Sequence, residues 1–371
     1  MRRWLTLMSA AGALIVLGCQ APRDRTAVDE AGRRGTLLLI GGGLDDDSRF
    51  VWERFVALAK TNGPARVVIA TAATGPQDQE ATDKTEALRT WAPEVPVEVV
   101  RRETATAATV AAIDRATALF FTGGDQKRIT ERYRPGDGET PEWVAMQRLL
   151  ARGGVIAGAS AGLAMMGEVM FLTGGSATAL GIAPKSGPGG NGEVPKLGPQ
   201  QGPGMRLLPW AITDSHFFER DRLGRLVAGL EASGRRLGIG VGEDACVEVD
   251  LATSELVGIT VSESLLVDAT HLRRDGLTRT GLVARVIRKG DRLCLREWLE
   301  PREPPPIVPA GPLHDVPIAE PGQNRQLASW RLFRQASVPA SGALRLRLEA
   351  WNVTAFPIAN GNIGFEVRAN D

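Results

Sequence analysis

Ser160 lies in the segment of the sequence with the clearest chemical signature, GASAG at 158–162. A short apolar run before it predicts a buried strand, and the apolar residues 163–166 after it predict a helix. A serine on a tight strand-to-helix turn is exposed, and small neighbours permit the strained backbone. The helix N-terminus adds N–H groups that suit a developing oxyanion. By itself the motif is equally typical of a glycine-rich turn, since the chain has 43 glycines.

A nucleophilic serine needs a base within hydrogen-bond reach, and the base needs a group that orients it. His216 stands in a motif-like setting, TDSHFFERDR at 213–222, just after a predicted strand. Carboxylates and arginines surround it in sequence, which a buried structural histidine would not need. Glu243 follows the predicted strand 237–241 and is the best third member, with Asp244 and Asp214 as alternatives. The residues therefore predict a serine hydrolase in which His216 is the base of Ser160 and one of these three carboxylates orients it.

Short apolar strands alternate with helical patterns through the first half of the chain. Strands are predicted at about 36–40, 66–70, 95–100, 118–121 and 154–158, with helices at about 50–59, 82–91, 104–115 and 141–152. Such alternation is typical of an α/β protein whose parallel sheet is covered by helices on both faces. In open sheets of this kind, ligand sites lie at the carboxyl ends of the strands. His216 and Ser160 both follow predicted strands, as this rule requires.

Five motifs in order resemble the cyanophycinase and dipeptidase E family of serine peptidases. They are GGG at 41–43, FFTGGDQ at 120–126, GASAG at 158–162, DSHF at 214–217 with the arginines after it, and GVGED at 240–244. The resemblance runs roughly over residues 36–295. It implies a flavodoxin-like, doubly wound parallel sheet, with Ser160 as nucleophile, His216 as general base and Glu243 as its orienting partner.

The resemblance also implies a substrate site lined by polar side chains. These are Gln126, Asp214, Arg220, Arg222 and Arg225. Guanidinium groups suit a substrate with free carboxylates, because each can bind a carboxylate through two parallel hydrogen bonds. Arg220, and after it Arg225, is the favoured candidate for this contact.

The predicted reaction is hydrolysis of aspartyl peptide bonds through an acyl-enzyme, on a peptide or a cyanophycin-like polymer. The oxyanion would be held by the backbone N–H groups of Ala161 and Gly124. This chemistry calls for no metal and no organic cofactor. Two residues depart from the family pattern: Ala159 stands where threonine is common, and Ser215 where glutamine is common. Both departures bear on substrate specificity more than on the serine chemistry.

Three other functions remain as alternatives. A dipeptidase E-like enzyme would release N-terminal aspartyl dipeptides. A non-catalytic surface lipoprotein would keep the fold and bind peptides, although it would not need a complete triad. A glutamine amidotransferase-like enzyme would share the sheet but needs a cysteine where Ser160 stands.

The first 19 residues predict export. Arg2 and Arg3 precede an apolar stretch at 5–17, which is too short to span a bilayer as a helix,. The stretch ends in VLGC at 16–19, which resembles a bacterial lipobox with Cys19 as the lipidated residue. We expect an extracytoplasmic protein with a lipid anchor, and the outer membrane is favoured because no aspartate follows the cysteine. The alternative is an ordinary secretory signal with a chance cysteine.

The remaining chain divides into a tether at 20–35, a hydrolytic domain at 36–298, and a Pro-rich linker with a small β-rich appendage at 299–371. Within the domain, the Gly- and Pro-rich residues 174–204 predict a loop without regular structure that overhangs the cleft. The 44 basic and 43 acidic side chains almost cancel, which argues against a nucleic-acid partner. The sequence leaves open a homodimer and a bond between Cys246 and Cys294.

Overall fold

The computed structural model describes residues 32–44, 48–182, 196–306, 313–317, 328–338, 341–348 and 350–370. The predicted leader with Cys19, and most of the predicted tether, lie outside these residues. The strands are β1 (Thr36–Ile40), β2 (Val67–Ala70), β3 (Val97–Val100), β4 (Ala118–Phe121), β5 (Val155–Ala159), β6 (Val169–Thr173), β7 (Gln200–Pro203), β8 (Ala211–Asp214), β9 (Leu237–Val241), β10 (Cys246–Asp250), β11 (Glu255–Gly258), β12 (Ser264–Asp268), β13 (Arg273–Asp275), β14 (Thr278–Ile287), β15 (Arg292–Cys294), β16 (His314–Val316), β17 (Leu344–Arg347), β18 (Trp351–Pro357) and β19 (Ile363–Ala369). The helices are α1 (Arg49–Ala59), α2 (Gln77–Trp91), α3 (Thr106–Arg115), α4 (Gln126–Tyr133), α5 (Pro141–Ala151), α6 (Ala161–Ala164), α7 (Ser176–Ala179), α8 (Leu223–Ser233), α9 (Leu295–Leu299) and α10 (Ala328–Ala336). Within the described part of the chain, every helix is too short or too polar to cross a membrane.

The first sheet contains the alternating strands that the sequence predicts. Its parallel strands lie in the order β3-β2-β4-β5-β1, and the antiparallel strands β10, β11 and β15 continue it beyond β1. Alternate side chains of β1 enter opposite cores: Leu38 packs with residues of α1 and α2, and Leu37 with residues of α3 and α5. Burial on both faces explains the continuous apolar runs and confirms the predicted doubly wound α/β architecture.

A second sheet lies beside the first, and the sequence analysis does not foresee it. Its order is β16-β17-β18-β19-β14-β12-β9-β8, with β13 paired to β14. Side chains such as Ile239 and Leu266 join the core shared with the first sheet. Side chains of the opposite face, such as Leu265 and Val267, pack in a core that includes residues of α8 and α10. Two sheets therefore share one core at the centre of the molecule.

The described strands of the C-terminal region belong to this second sheet. β19 pairs with β14 in antiparallel register, and β18 and β17 follow it outward. The β-rich character predicted for this region is confirmed, and α10, which the pattern did not indicate, packs Phe333 against Phe365 at 5.2 Å between ring centroids. The sheet thus crosses the boundary that the sequence analysis places between residues 298 and 299.

The Gly- and Pro-rich segment 174–204 contains regular structure at both ends. β7 pairs with β6 in antiparallel register, and α7 packs on α8, where a Cβ on Gly224 would lie 2.8 Å from Ser176 Cβ. The prediction of a loop without elements was wrong for these two parts, because tertiary partners supply the hydrogen bonds and packing that the local sequence lacks. Residues 183–195 of the segment lie outside the described residues.

Cys246 is a free thiol buried in β10, so Cys246 and Cys294 do not form the bond that the sequence left open. Burial raises the pKa of the Cys246 thiol, and the nearby carboxylate of Glu248 raises it further. The thiol therefore stays protonated and unreactive, as expected for a cysteine that serves as a small apolar residue.

Candidate active site

Ser160 lies on the sharp turn between β5 and α6, at the carboxyl edge of the first sheet. Its backbone has φ 51° and ψ −104°, a conformation that non-glycine residues adopt only under constraint. The constraint comes from a hydrogen bond of its N–H to the carbonyl oxygen of Ile40 at 3.0 Å. The turn also needs bare neighbours, because a Cβ on Gly158 would lie 2.1 Å from the carbonyl oxygen of Gly162. This backbone presents the half-buried Ser160 side chain at the end of the strand.

His216 follows β8 of the second sheet and faces Ser160. Its Nε2 lies 2.7 Å from Ser160 Oγ, and its Nδ1 lies 2.6 Å from Glu243 Oε1. An ionised carboxylate only accepts hydrogen bonds, so Nδ1 carries the proton and Nε2 is free to accept from the serine hydroxyl. The structure brings together the three residues predicted as a triad. Glu243, rather than Asp214 or Asp244, is the carboxylate on the imidazole.

The turn after β1 joins the two halves of this arrangement. The carbonyl oxygen of Gly41 accepts from the His216 N–H at 2.8 Å, and that of Gly42 accepts from the Asp244 N–H at 3.0 Å. A Cβ on Gly43 would lie 3.1 Å from Glu243 Cβ. The glycine run at 41–43 therefore supports His216 and Glu243 through backbone contacts.

The environment of His216 favours its neutral form. Burial lowers the pKa of the imidazole, and the positive charge of Arg220 lowers the pKa as well, against the hydrogen bond with Glu243, which raises it. The net pKa lies below that of an ordinary histidine. A neutral imidazole at physiological pH can take a proton from Ser160, as a general base must.

Glu219 is a residue of the site that the sequence analysis did not assign. Its Oε2 accepts from the backbone N–H of Glu243 at 3.0 Å. Burial raises the pKa of Glu219, and the negative charges of Glu243 and Asp244 raise it too. The carboxylates in the His216 motif were the available signal, but only the fold shows which of them reaches the Glu243 backbone.

The predicted oxyanion donors lie on two turns that border Ser160. Ala161 is the first residue of α6, where its N–H has no acceptor within the helix. A Cβ on Gly123 would lie 3.5 Å from Ser160 Cβ, so the 123–125 turn approaches Ser160 closely. Gly124 has φ 134°, and a Cβ there would lie 2.4 Å from the carbonyl oxygen of Ala73. Glycine is required at 124 to bring this turn beside the serine.

Asp214 and two of the three predicted arginines form an ion-pair cluster. Arg225 is 5% exposed and donates to Asp214 from Nε at 2.9 Å and from Nη2. Its guanidinium also donates to the carbonyl oxygen of Gly174 at 2.8 Å. Arg222 donates to Asp214 at 3.2 Å and to the carbonyl oxygen of Ser215 at 2.6 Å. Asp214 and Arg225 lie inside the fold, which does not fit the direct substrate contact predicted for them.

Arg220 and Gln126 have the accessibility that a substrate contact needs. Arg220 is exposed, and within the described ranges its guanidinium forms no ion pair. Its charge is close enough to His216 to affect the histidine pKa. Gln126 is half-buried at the start of α4 and donates to the carbonyl oxygen of Phe171 at 2.6 Å. Of the three predicted arginines, Arg220 is the one whose guanidinium has no ion pair in the part of the chain that the structure describes.

Comparison with known proteins gives one family match and several relatives. The model of peptidase family S51 matches residues 37–256, which is more than half of the chain. Cyanophycinase of Trichormus variabilis (strain ATCC 29413 / PCC 7937) is 36% identical over 139 residues, which are 37% of this chain and 40% of that protein. Cyanophycinase of Synechococcus elongatus is 33% identical over 138 residues, which are 37% of each chain. The matched part therefore spans 40% or less of these two relatives' length.

A solved structure supports the fold. The crystal structure of a peptidase from an acI-B1 Actinobacterium superposes with a TM-score of 0.50 and 16% identity, covering 71% of this chain and 98% of that one. At this identity the likeness speaks for the fold alone. The family match, together with the motifs from which the resemblance was predicted, shows that this chain belongs to peptidase family S51.

Proposed function

We propose that the protein is a serine peptidase of cyanophycinase type, which hydrolyses aspartyl peptide bonds through an acyl-enzyme. The observation that carries the proposal is the hydrogen-bonded series from Ser160 Oγ through His216 to Glu243, at 2.7 and 2.6 Å. Both distances lie within the range for a nucleophile, its base and the group that orients the base. A peptide-binding lipoprotein would not need this series, so catalysis explains the site better.

In the proposed mechanism, His216 Nε2 takes the Ser160 Oγ proton while Oγ attacks the substrate carbonyl carbon. The carbonyl oxygen becomes an oxyanion that accepts hydrogen bonds from the N–H groups of Ala161 and Gly124. The tetrahedral intermediate then collapses. His216 gives its proton to the leaving amine, and the acyl group stays on Ser160. A water molecule then attacks the carbonyl carbon of the acyl-enzyme and gives one proton to His216. His216 passes this proton to Ser160 Oγ as the acyl bond breaks, which releases the acid and restores the serine. Glu243 stabilises the imidazolium at both stages.

The proposed substrate class is an aspartyl peptide with a free carboxylate, of the β-Asp-Arg kind. Arg220 is an exposed guanidinium beside the base, and guanidinium binds carboxylates through paired hydrogen bonds. The cyanophycinases among the relatives make cyanophycin the first polymer to test. Ala159 and Ser215 depart from the family pattern beside the substrate. The preference for particular substrate side chains is therefore part of this proposal.

The test is hydrolysis of cyanophycin, β-Asp-Arg peptides and α-aspartyl dipeptides by the chain from residue 20, beside a Ser160→Ala control. We expect release of β-Asp-Arg by the wild type, and a loss on the order of 10⁶ in kcat for the variant. Cleavage of only the α-aspartyl dipeptides would favour a dipeptidase E-like activity instead. Neither cleavage nor labelling of Ser160 by a fluorophosphonate would reject the serine peptidase.

We also propose that the protein is anchored by lipid on Cys19, with the outer membrane as its destination. The basis is the leader sequence, with its short apolar stretch and VLGC at 16–19. Metabolic labelling with a palmitate analogue should mark the full chain and not a Cys19→Ser variant. Release of the unlabelled wild-type chain into the soluble periplasmic fraction would reject the anchor.

A further inference from the structure

Asp221 links the substrate-binding segment to the C-terminal region. It lies between Arg220 and Arg222, and its Oδ1 accepts a hydrogen bond from Ser329 Oγ of α10 at 2.6 Å. The two residues are 108 positions apart in sequence. Ser329 is fully buried, so its hydroxyl is held by the surrounding core and does not exchange freely with solvent.

Hydrogen bonds also hold the backbone of Asp221. Its φ is 46°, in the left-handed region that aspartate tolerates better than most residues. Its N–H donates to the carbonyl oxygen of Phe218 at 3.1 Å, and its carbonyl oxygen accepts from Ser176 Oγ of α7 at 2.5 Å. The turn at Asp221 is therefore fixed by α7 through the backbone and by α10 through the carboxylate.

α10 is a firm support for this contact because it is packed into a core. Leu332 and Phe333 of α10 belong to the same buried cluster as Phe217 and Phe218, which directly follow the catalytic histidine. The backbone of Ser329 therefore cannot move away from Asp221 unless α10 also moves. The C-terminal region thus reaches the site segment both through a buried cluster and through one directed hydrogen bond.

The position of the Arg220 side chain depends on the turn at Asp221. Its exposed side chain forms no ion pair within the described ranges, so only its backbone can hold it beside His216. Its N–H donates to the His216 carbonyl oxygen at 3.1 Å, and the next residue is the anchored Asp221. A long side chain binds a carboxylate more tightly when its backbone is preorganised, because less freedom is lost on binding.

We propose that Ser329 is a positioning residue for substrate binding, which holds Asp221 so that Arg220 faces the substrate carboxylate. The C-terminal region is then part of the substrate-binding machinery of this chain. The inference rests on the proposed function in one respect, namely that Arg220 binds the substrate carboxylate. The hydrogen bond and its effect on the 217–222 segment can be measured without any substrate.

The experiment compares Ser329→Ala with Ser337→Ala. Ser337 follows α10 and is half-buried. Its hydroxyl donates to the carbonyl oxygen of Arg334 at 2.7 Å and accepts from Arg288 at 3.0 Å. For Ser329→Ala we expect KM for a β-Asp-Arg peptide to rise roughly tenfold, as for loss of a hydrogen bond to a charged group, with kcat nearly unchanged. Amide hydrogen exchange over 217–222 should rise in this variant and not in Ser337→Ala. The rate of fluorophosphonate labelling of Ser160 should be the same in all three proteins.

A second variant isolates the contact. Asp221→Gly keeps the left-handed backbone accessible and removes the carboxylate, so adding Ser329→Ala to it should raise KM and exchange no further. Unchanged exchange over 217–222 in Ser329→Ala would overturn the proposal, and so would an equal fall in kcat and labelling rate. If the wild type cleaves no aspartyl peptide, the proposed function fails, whereas the exchange result still decides whether Ser329 holds the segment.

Discussion

The imidazole of His216 packs against the bare Cα of Gly42. A Cβ on Gly42 would lie 2.4 Å from His216 Cε1 and 2.5 Å from Nε2, and the residue has φ 105°. No other amino acid fits, because both the space and the backbone conformation require glycine. The hydrogen-bond partner of Ser160 is thus positioned by a residue that has no side chain.

Gly42→Ala should therefore impair catalysis by moving the base. The added methyl group would push the imidazole away from Ser160, and a misplacement of about 1 Å commonly costs about 100-fold in rate. We expect at least that loss in kcat/KM and in the rate of fluorophosphonate labelling. Gly63→Ala is the matched control, since Gly63 has φ 127° but no atom within 4 Å of its Cβ position. Equal losses in both variants would mean that backbone strain, and not contact with His216, is responsible.

Substitution of Arg225 should lower the stability of the fold, whereas substitution of Arg220 should weaken substrate binding. Arg225→Ala leaves the buried Asp214 with Arg222, at 3.2 Å, as its remaining charged partner. Breaking a buried pair typically costs about 3–5 kcal/mol in the free energy of unfolding, and the contact with Arg222 should keep the loss near the lower end of that range. Arg220→Ala removes an exposed side chain, so stability should change by about 0.5 kcal/mol or less. It should instead lower kcat/KM roughly 10- to 100-fold, through loss of a hydrogen bond to the substrate carboxylate. Denaturant unfolding and kinetics on the same preparations check both, and a stable Arg225→Ala protein would contradict the buried ion pair.

The pH dependence of Ser160 reactivity should report the environment of His216. Because the pKa of His216 is lowered, the base should stay neutral, and labelling of Ser160 should persist, to a lower pH than with an ordinary histidine. Arg220→Gln removes a charge that lowers this pKa, so the acid limb should move to higher pH. Labelling by a fluorophosphonate measures the limb without a substrate carboxylate. Arg115→Gln, on α3 and paired with Glu98 at 3.0 Å, is the control that should not move it.

Ionisation of Asp221 should lower the free energy of unfolding as the pH rises from mild acid to neutral. Burial raises the pKa of Asp221 from 3.8 to about 6, so the folded state holds this proton more tightly than the unfolded state does. The resulting stabilisation is present at low pH and is lost as the pH rises through about 6, and it amounts to at most about 3 kcal/mol. Asp221→Asn cannot ionise, so its stability relative to the wild type should increase from pH 4 to pH 7. A difference that stays constant over this range would contradict the raised pKa.

Much of the site could be read from the sequence because its signals are local. Ser160 stands on a strand-to-helix turn with small neighbours, and His216 and Glu243 each follow an apolar strand. The ends of neighbouring parallel strands meet at one edge, which explains why His216 after β8 lies close to Glu243 after β9. Ser160 belongs to the first sheet, so its approach to His216 depends on how the two sheets pack. The alternating strands of the first sheet were predicted for the same reason, since burial on both faces leaves apolar runs in the sequence.

The tertiary structure alone decided the relationships that depend on distant partners. The second sheet joins β8 and β9 to the strands of the C-terminal region through β12 and β14, so it follows from pairings between residues far apart in the chain. The sequence put Asp214, Arg222 and Arg225 together as site residues. Only packing showed that Arg225 is buried on Asp214 while Arg220 stays free. Residue type and spacing determined the chemistry of this protein, whereas burial, which no local pattern encodes, decided which of its charges can meet a substrate.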